Sequence, residues 1–175
     1  MEKTHLRYVV PILALPFTVT ILIPALILNA NKSIAIGWRL SAPLNSLPPI
    51  VGAGVIALGL ALMVMTISLF ATVGKGTLAP WDPPRHLVIS GVYRHVRNPM
   101  ISGVFCILLG EAILFGAFAL LVWFGAFVLI NAIYTPLVEE RTLEKRFGEE
   151  YRAYKQNVPR WIPRVNAWDT NTMSL

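Results

Sequence analysis

Charged residues are scarce in this chain. They make up only 14% of the 175 residues, whereas a typical soluble domain has about 25%. Residues 8–31, 40–74 and 112–138 are free of Asp, Glu, Lys and Arg, and each run exceeds the roughly 20 residues that cross a bilayer as a helix. Because charge in the bilayer core is costly, these runs exclude an ordinary soluble domain and predict an integral membrane protein.

The sequence also lacks the usual signatures of metal and nucleophile chemistry. Its single cysteine, Cys106, lies in an apolar run, which is typical of a small buried hydrophobic residue rather than a disulfide partner. The histidines His5, His86 and His95 have no metal-ligand spacing with it, so no metal site is predicted. A phosphate-binding glycine loop and a Gly-x-Ser-x-Gly elbow are missing as well.

The apolar runs predict an all-α membrane protein with about four transmembrane helices. The predicted bounds of these helices are residues 8–28, 49–73, 99–115 and 117–138. The first contains Pro11, Pro16 and Pro24, so we expect it to be kinked or partly irregular. The second is rich in Gly and Ala, which predicts close helix packing. Only Gly116 separates the third from the fourth, so these two should form a tight hairpin.

Basic residues are distributed unevenly about these helices. With four crossings, both termini and the polar loop of residues 74–98 lie on one side, and the other side carries only Lys32 and Arg39 of the 15 Lys and Arg residues. Because basic residues collect in cytoplasmic loops, we expect the termini and this loop to be cytoplasmic, as in a bacterial inner membrane. The same rule explains the net charge of +6 without nucleic-acid binding.

An amphipathic helix is predicted after the fourth span, over residues 139–155. One stripe recurs at steps of three or four residues and should face inward: Glu139, Leu143, Phe147, Tyr151 and Tyr154. Glu140, Arg141 and Glu144 fall outside this stripe, so they should point away from the bundle.

Three regions follow from this pattern. Residues 1–73 hold the first two helices, residues 74–164 form the candidate cofactor-binding region, and residues 165–175 are expected to be a frayed tail. Within the second region, residues 158–164 alternate basic, aromatic and proline residues, which suits an extended segment at the lipid headgroups.

Two polar clusters lie at the ends of the predicted hairpin, on the same membrane surface. The first is the stretch Ser90–Gly103, with Arg97 and Asn98, and the second begins at Glu139. An inward carboxylate at Glu139 needs a cationic partner, which either Arg97 or the ammonium group of a ligand would supply. A plain salt bridge between the two helices is the alternative.

Two further polar residues lie inside the predicted hairpin. Asn131, about two turns before Glu139, is predicted level with Ile101, where it either joins the helices by hydrogen bonds or contacts a ligand. Glu111 is predicted near the outer end of the third helix, where snorkelling to the interface and helix pairing are both open.

The two clusters carry motifs that resemble a known family. Residues 90–103 read Ser-Gly-Val-Tyr-x3-Arg-Asn-Pro-Met-x2-Gly, and residues 139–160 read Glu-Glu-x2-Leu-x3-Phe-Gly-Glu-Glu-Tyr-x2-Tyr-x3-Val-Pro-Arg. Together they are similar to the isoprenylcysteine carboxyl methyltransferases and, more broadly, to the integral-membrane methyltransferases that include phospholipid N-methyltransferases. The resemblance covers about residues 76–164, and the first two spans show no such signature.

This resemblance implies an S-adenosylmethionine site at the cytoplasmic end of the last helix pair. The residues that would contact the cofactor are Arg85, His86, Leu87, Val88, Tyr93, Asn98, Pro99, Met100, Ile101, Gly103, Glu139 and Glu140. Arg97, Asn98 and Asn131 would position the reactants. A carboxylate suits the ammonium group of the cofactor, an arginine suits its carboxylate, and both the inward stripe and the resemblance favour Glu139 over Glu140.

The chain departs from the family pattern at the substrate half. The family often has His-Pro-x-Tyr where this chain has Asn98-Pro99-Met100-Ile101, and its eukaryotic carboxyl methyltransferases have a substrate-linked arginine at the position of Thr135. The resemblance therefore implies methyl transfer to a lipophilic acceptor, either a carboxylate of the prenylcysteine type or a lipid amine. An NADPH-dependent membrane reductase and a non-catalytic protein that retains the fold are the alternatives.

Overall fold

The structure is a computed structural model that describes residues 13–30, 37–74 and 86–169. Regular structure in these ranges is helical and includes no β-strand, so the predicted all-α class is confirmed. The α-helices are α1 (Ile23–Ala30), α2 (Leu47–Thr72), α3 (Pro99–Phe115), α4 (Phe118–Tyr134) and α5 (Glu140–Asn157). The chain forms two compact units, one from residues 1–61 and 103–130 and the other from residues 62–102 and 131–175.

Two helical segments, Leu44–Thr72 and Phe118–Asn157, are long and apolar enough to cross a membrane. Pro16–Ala30 and Pro99–Phe115 are shorter apolar helical segments. Large apolar side chains such as Val64 on α2 are exposed on the surface of these helices. Such a surface fits a membrane protein, because lipid rather than water is the favourable environment for it.

The first described helical segment is irregular, as predicted from its prolines. Leu13–Leu22 is π-helical and contains Pro16, and α1 continues from it. Proline lacks the N–H that an α-helical turn requires. The hydroxyl of Thr20 donates a 2.8 Å hydrogen bond to the Pro16 carbonyl oxygen, as expected for a threonine one turn later. Pro11 lies outside the described residues.

In the first unit, α2 and α3 pack with their backbones in contact. A Cβ atom added to Gly59 would lie 2.5 Å from the Gly103 carbonyl oxygen, and one added to Gly52 would lie 2.7 Å from the Gly110 carbonyl oxygen. Only glycine permits so close an approach. The close packing predicted from the small residues of the second span is therefore present.

The helices α3 and α4 are joined by a turn at Gly116, whose φ of +59° favours glycine. The ring of Phe105 on α3 contacts Phe124 and Phe127 on α4, with centroid separations of 6.3 and 5.9 Å. The end of α4 differs from the prediction, because Thr135–Glu139 is π-helical. Pro136 explains the change, since it cannot donate the next α-helical hydrogen bond.

The second unit has an aromatic core built by α5 and the C-terminal segment, residues 158–168. Tyr151, Tyr154, Val158 and Trp168 form this core. The indole of Trp168 is only 5% exposed, and its backbone N–H donates a 2.9 Å hydrogen bond to the Arg94 carbonyl oxygen. A frayed tail was expected from residue 165 onward, but Trp168 is anchored in the aromatic core. Residues 170–175 lie outside the described ranges.

Backbone hydrogen bonds tie the C-terminal segment to residues 94–98. The N–H groups of Arg97 and Asn98 donate to the carbonyl oxygens of Pro159 and Arg160, at 2.8 and 3.1 Å. The backbone N–H of Arg164 donates a 3.0 Å hydrogen bond to the His95 carbonyl oxygen. The C-terminal segment thus holds the polar stretch before α3 in one conformation.

Candidate active site

A cavity of about 450 Å³ lies within the second unit. Its size is within the range of about 300–1,000 Å³ that is typical of small-molecule sites. The walls come from Phe70 of α2, the loop before α3, the first residues of α3, the end of α4 with the following π-helical turn, the first half of α5, and Arg160. Most of the wall is apolar, and a few polar groups converge on it.

This cavity brings together most of the predicted site residues. Those that line it are His86, Leu87, Val88, Tyr93, Arg97, Asn98, Met100, Ile101, Asn131, Glu139 and Glu140. Pro99 is buried at the start of α3 and is not part of the wall. Gly103 belongs to the first unit, where it packs against Gly59. Arg85 lies outside the described residues.

Glu140 is the centre of a buried ion network. Its side chain is 3% exposed and accepts hydrogen bonds from Arg97 Nη1 at 2.9 Å and from Arg160 Nε and Nη2 at 2.5 and 3.1 Å. Lys155 Nζ is 3.4 Å from the Oε2 atom of Glu140. The prediction that Glu140 points away from the bundle is therefore wrong.

Two features missing from the regular helical pattern explain this error. The turn Thr135–Glu139 is π-helical and has more residues per turn than an α-helix. A prediction that assumes 3.6 residues per turn therefore assigns the first residues of α5 to the wrong face. The C-terminal segment then folds back and covers Glu140 with Arg160. Although burial alone would raise the pKa of Glu140, the hydrogen bonds from Arg160 and the charges of Arg97, Arg160 and Lys155 lower it.

Glu139 has a very different environment, just past the apolar run that ends at Val138. Its Oε2 atom accepts a 3.4 Å hydrogen bond from Asn98 Nδ2, and no basic residue in the described ranges forms a salt bridge with it. Of the two cationic partners considered for Glu139, Arg97 is not the one it has, because Arg97 binds Glu140 instead. Burial raises the pKa of Glu139, and the charge of Glu140 adds to this, whereas the Asn98 hydrogen bond opposes it.

The loop that faces these carboxylates is held by aromatic contacts. The ring of Tyr93 stacks on Phe70 with centroids 5.7 Å apart, and the Tyr154 hydroxyl donates a 2.7 Å hydrogen bond to the Tyr93 carbonyl oxygen. Arg97 Nε donates to the Val158 carbonyl oxygen at 2.7 Å. Burial raises the pKa of the Tyr93 phenol well above its usual value, so this group stays neutral and can donate a hydrogen bond.

Several residues of the cavity wall were not predicted as site residues. They are Phe70, Tyr134, Thr135, Val138, Thr142, Leu143, Arg146, Phe147, Tyr151, Tyr154 and Arg160. The inward stripe contained Leu143, Phe147, Tyr151 and Tyr154, and the second motif contained Arg160. These signals pointed to burial but not to a cavity. Phe70 lies within an unbroken apolar run, where no pattern distinguishes it from its neighbours.

The cavity is largely apolar and carries two acidic side chains, Glu139 and Glu140, and the apolar helix surfaces fit a membrane protein. A sequence profile of the phospholipid methyltransferase family matches residues 47–150, which is more than half of the chain. The chain therefore belongs to the phospholipid methyltransferase family.

Two curated proteins show partial similarity to the chain. The Protein-S-isoprenylcysteine O-methyltransferase of Schizosaccharomyces pombe is 33% identical over 79 residues, which cover 45% of this chain and 34% of that protein. An uncharacterized protein of Haemophilus influenzae is 46% identical over 44 residues, which cover 24% of this chain and 70% of that protein. The match thus spans about a third of the length of the yeast relative. No solved structure is significantly similar to the chain.

Proposed function

We propose that this protein transfers a methyl group from S-adenosylmethionine to a lipophilic acceptor in the membrane. The observation that carries the proposal is Glu139, a partly buried carboxylate that lines an apolar cavity and forms no salt bridge in the described ranges. A buried carboxylate of this kind is stabilised by a cationic group. Membership of the phospholipid methyltransferase family supports methyl transfer as the reaction class. It does not favour the alternative of an NADPH-dependent reductase.

The residues of the cavity fit the three chemical parts of S-adenosylmethionine. Glu139 would accept hydrogen bonds from the ammonium group, and the Asn98 amide would hold that carboxylate in place. Apolar and aromatic side chains of the wall, such as Val88 and Phe147, would pack against the adenine ring. The bound cofactor supplies an activated methyl group on a sulfonium ion.

The protein then has little covalent chemistry to perform. An activated methyl group needs an acceptor atom aligned with the carbon–sulfur bond, together with the exclusion of water. The C-terminal segment and the buried Glu140 network supply rigidity, because they hold Arg97 and Asn98 beside the cavity. Methyl transfer of this kind needs no nucleophile elbow, and the sequence has none.

The acceptor would enter from the lipid side of the cavity. Tyr134 and Val138 line the cavity and are also 53% and 45% exposed on the apolar helix surface. An apolar acceptor can therefore reach the wall without crossing water. A carboxylate of the prenylcysteine type or a lipid amine would serve as the acceptor, with Thr135 at the position where related carboxyl methyltransferases have an arginine.

The proposal includes a topology with four crossings and a cytoplasmic cofactor site. The helical segments Pro16–Ala30 and Pro99–Phe115 would be the first and third crossings, and α3 and α4 would form a hairpin. Both termini and the loop before α3 would then face the cytoplasm, where S-adenosylmethionine is available. The uneven distribution of Lys and Arg supports this orientation.

Incubation of the protein in lipid vesicles with methyl-labelled S-adenosylmethionine tests the proposal. Mass spectrometry of the extracted lipids should find the label in a lipophilic product. A Glu139→Gln variant should incorporate much less label than a Glu150→Gln variant, since Glu150 is exposed and lies outside the cavity. Absence of labelled lipid with the wild-type protein in vesicles of its host lipids would contradict the proposal.

A further inference from the structure

The three arginines that line the cavity differ in their partners. Arg97 and Arg160 both donate hydrogen bonds to Glu140, so their charges are compensated. Arg146 also lines the cavity, but no acidic residue in the described ranges forms a salt bridge with it. Its guanidinium lies 5.3 Å from the centroid of the Phe147 ring. Arg146 is thus a partly solvent-exposed cation at the cavity wall that forms no salt bridge in the described ranges.

Glu139 and Arg146 both line the cavity from one helical stretch. They are seven residues apart, which is close to two full turns, and about 10 Å apart along the helix axis. The non-helical backbone of this stretch is at Gly148, beyond both residues. The same cavity wall therefore presents a carboxylate and, further from the apolar run, a guanidinium, and neither forms a salt bridge in the described ranges.

We propose that Arg146 binds the carboxylate of the amino-acid part of S-adenosylmethionine, while Glu139 binds its ammonium group. This inference rests on the proposed function and assigns one further residue to the same site. A guanidinium is suited to a carboxylate because its N–H groups can form two parallel hydrogen bonds. The long side chain of arginine lets two residues that are two turns apart reach adjacent groups of one ligand.

The position of Arg146 on α5 favours the cofactor carboxylate, rather than the phosphate of a lipid, as the anion that Arg146 binds. Arg146 is in the charged helix that follows the apolar run, whereas the apolar opening at Tyr134 and Val138 precedes Glu139. An anion bound by Arg146 would thus lie on the far side of Glu139 from the acceptor entrance. The neighbouring Phe147 packs against the aromatic core of the second unit, which limits the freedom of this part of α5.

Calorimetric titration with two ligands tests this assignment. Arg146→Gln should weaken binding of S-adenosylmethionine on the order of fivefold, yet leave the affinity for decarboxylated S-adenosylmethionine unchanged. Arg141→Gln is the matched control, because Arg141 is an exposed arginine of α5 outside the cavity. It should affect neither ligand.

The outcomes separate this inference from the proposed function. Equal affinity of the Arg146→Gln variant and the wild type for S-adenosylmethionine would overturn the inference, as would an equal loss of affinity for both ligands. A higher KM for phospholipid vesicles with unchanged cofactor affinity would assign Arg146 to the acceptor instead and would also overturn it. Failure of the wild-type protein to bind S-adenosylmethionine at all would overturn the proposed function.

Discussion

Arg97 Nη1 donates a 2.9 Å hydrogen bond to Glu140 Oε1 and leaves the adjacent Glu139 without a basic partner in the described ranges. Two neighbouring carboxylates therefore have separate tasks. Glu140 joins the start of α5 to the loop before α3 and to the C-terminal segment. Glu139 accepts a hydrogen bond from the Asn98 amide and forms no salt bridge in the described ranges, so it is available for a ligand.

Replacement of Glu140 should destabilise the fold. In Glu140→Gln, the guanidinium groups of Arg97 and Arg160 would lose their counter-charge, which costs about 2–3 kcal/mol for a buried pair with partly exposed partners. Thermal unfolding in detergent should show a clear decrease in Tm. Glu150→Gln, an exposed change on the same helix, should leave Tm unchanged. Equal Tm values for the two variants would contradict a structural role for Glu140.

The stability of the protein should fall in acid because of the same residue. The folded state lowers the pKa of Glu140 below its ordinary value of 4.5, so the unfolded chain binds this proton more tightly. The stabilisation from Glu140 is complete above that value and is lost as the pH falls through the lowered pKa. Tm measured from about pH 7 to about pH 3 should therefore drop less steeply in Glu140→Gln than in the wild type. Parallel curves would contradict this assignment.

Backbone contact between α2 and α3 should make Gly59 sensitive to the smallest change. A Cβ atom in Gly59→Ala would lie 2.5 Å from the Gly103 carbonyl oxygen, so the helices must separate, at a cost of about 1–3 kcal/mol. Gly54→Ala is the matched control, because its Cβ atom would meet nothing within 4 Å. Unfolding measurements should show a loss of stability only for Gly59→Ala, and a loss of similar size in both would contradict the packing.

The folded position of the C-terminal segment should depend on the packing of Trp168. Its indole is 5% exposed and packs on Tyr154 with ring centroids 5.9 Å apart, so Trp168→Ala should cost about 3 kcal/mol or more. Limited proteolysis should then cut the C-terminal segment faster than in the wild type. Val165→Ala is the control, since Val165 is 93% exposed. Unchanged proteolysis of Trp168→Ala would mean that the indole does not anchor this segment.

Much of the helical structure was predictable from the sequence. Charge-free runs locate α2 and α4, and α3 is an apolar run with the single charged residue Glu111, because a helix surface facing lipid tolerates few charged residues. Pro99 and Gly116 mark helix ends for local reasons, since the first fits an initial turn and the second adopts a positive φ. Tyr151 and Tyr154 of the inward stripe are buried as predicted, and Phe147 is half-buried.

The roles of the two carboxylates were not predictable in the same way. Helical periodicity predicts which of Glu139 and Glu140 faces inward from their positions around a regular α-helix. The π-helical turn that contains Pro136 changes those positions. The partner of Glu140 on the C-terminal segment, Arg160, is twenty residues away and depends on how that segment folds back. No spacing rule predicts such a return, and the same holds for the burial of Trp168.

Cofactor affinity tests the central claim most directly, by calorimetric titration of the purified protein with S-adenosylmethionine. The wild type should bind, Glu150→Gln should bind equally well, and Glu139→Gln should bind about tenfold more weakly or worse, because a charge-assisted hydrogen bond contributes roughly 1.5–3 kcal/mol. Tm of Glu139→Gln should remain near the wild-type value, since Glu139 has no salt bridge in the described ranges. No binding by the wild type at near-millimolar cofactor, or equal affinities of Glu139→Gln and Glu150→Gln, would contradict the account.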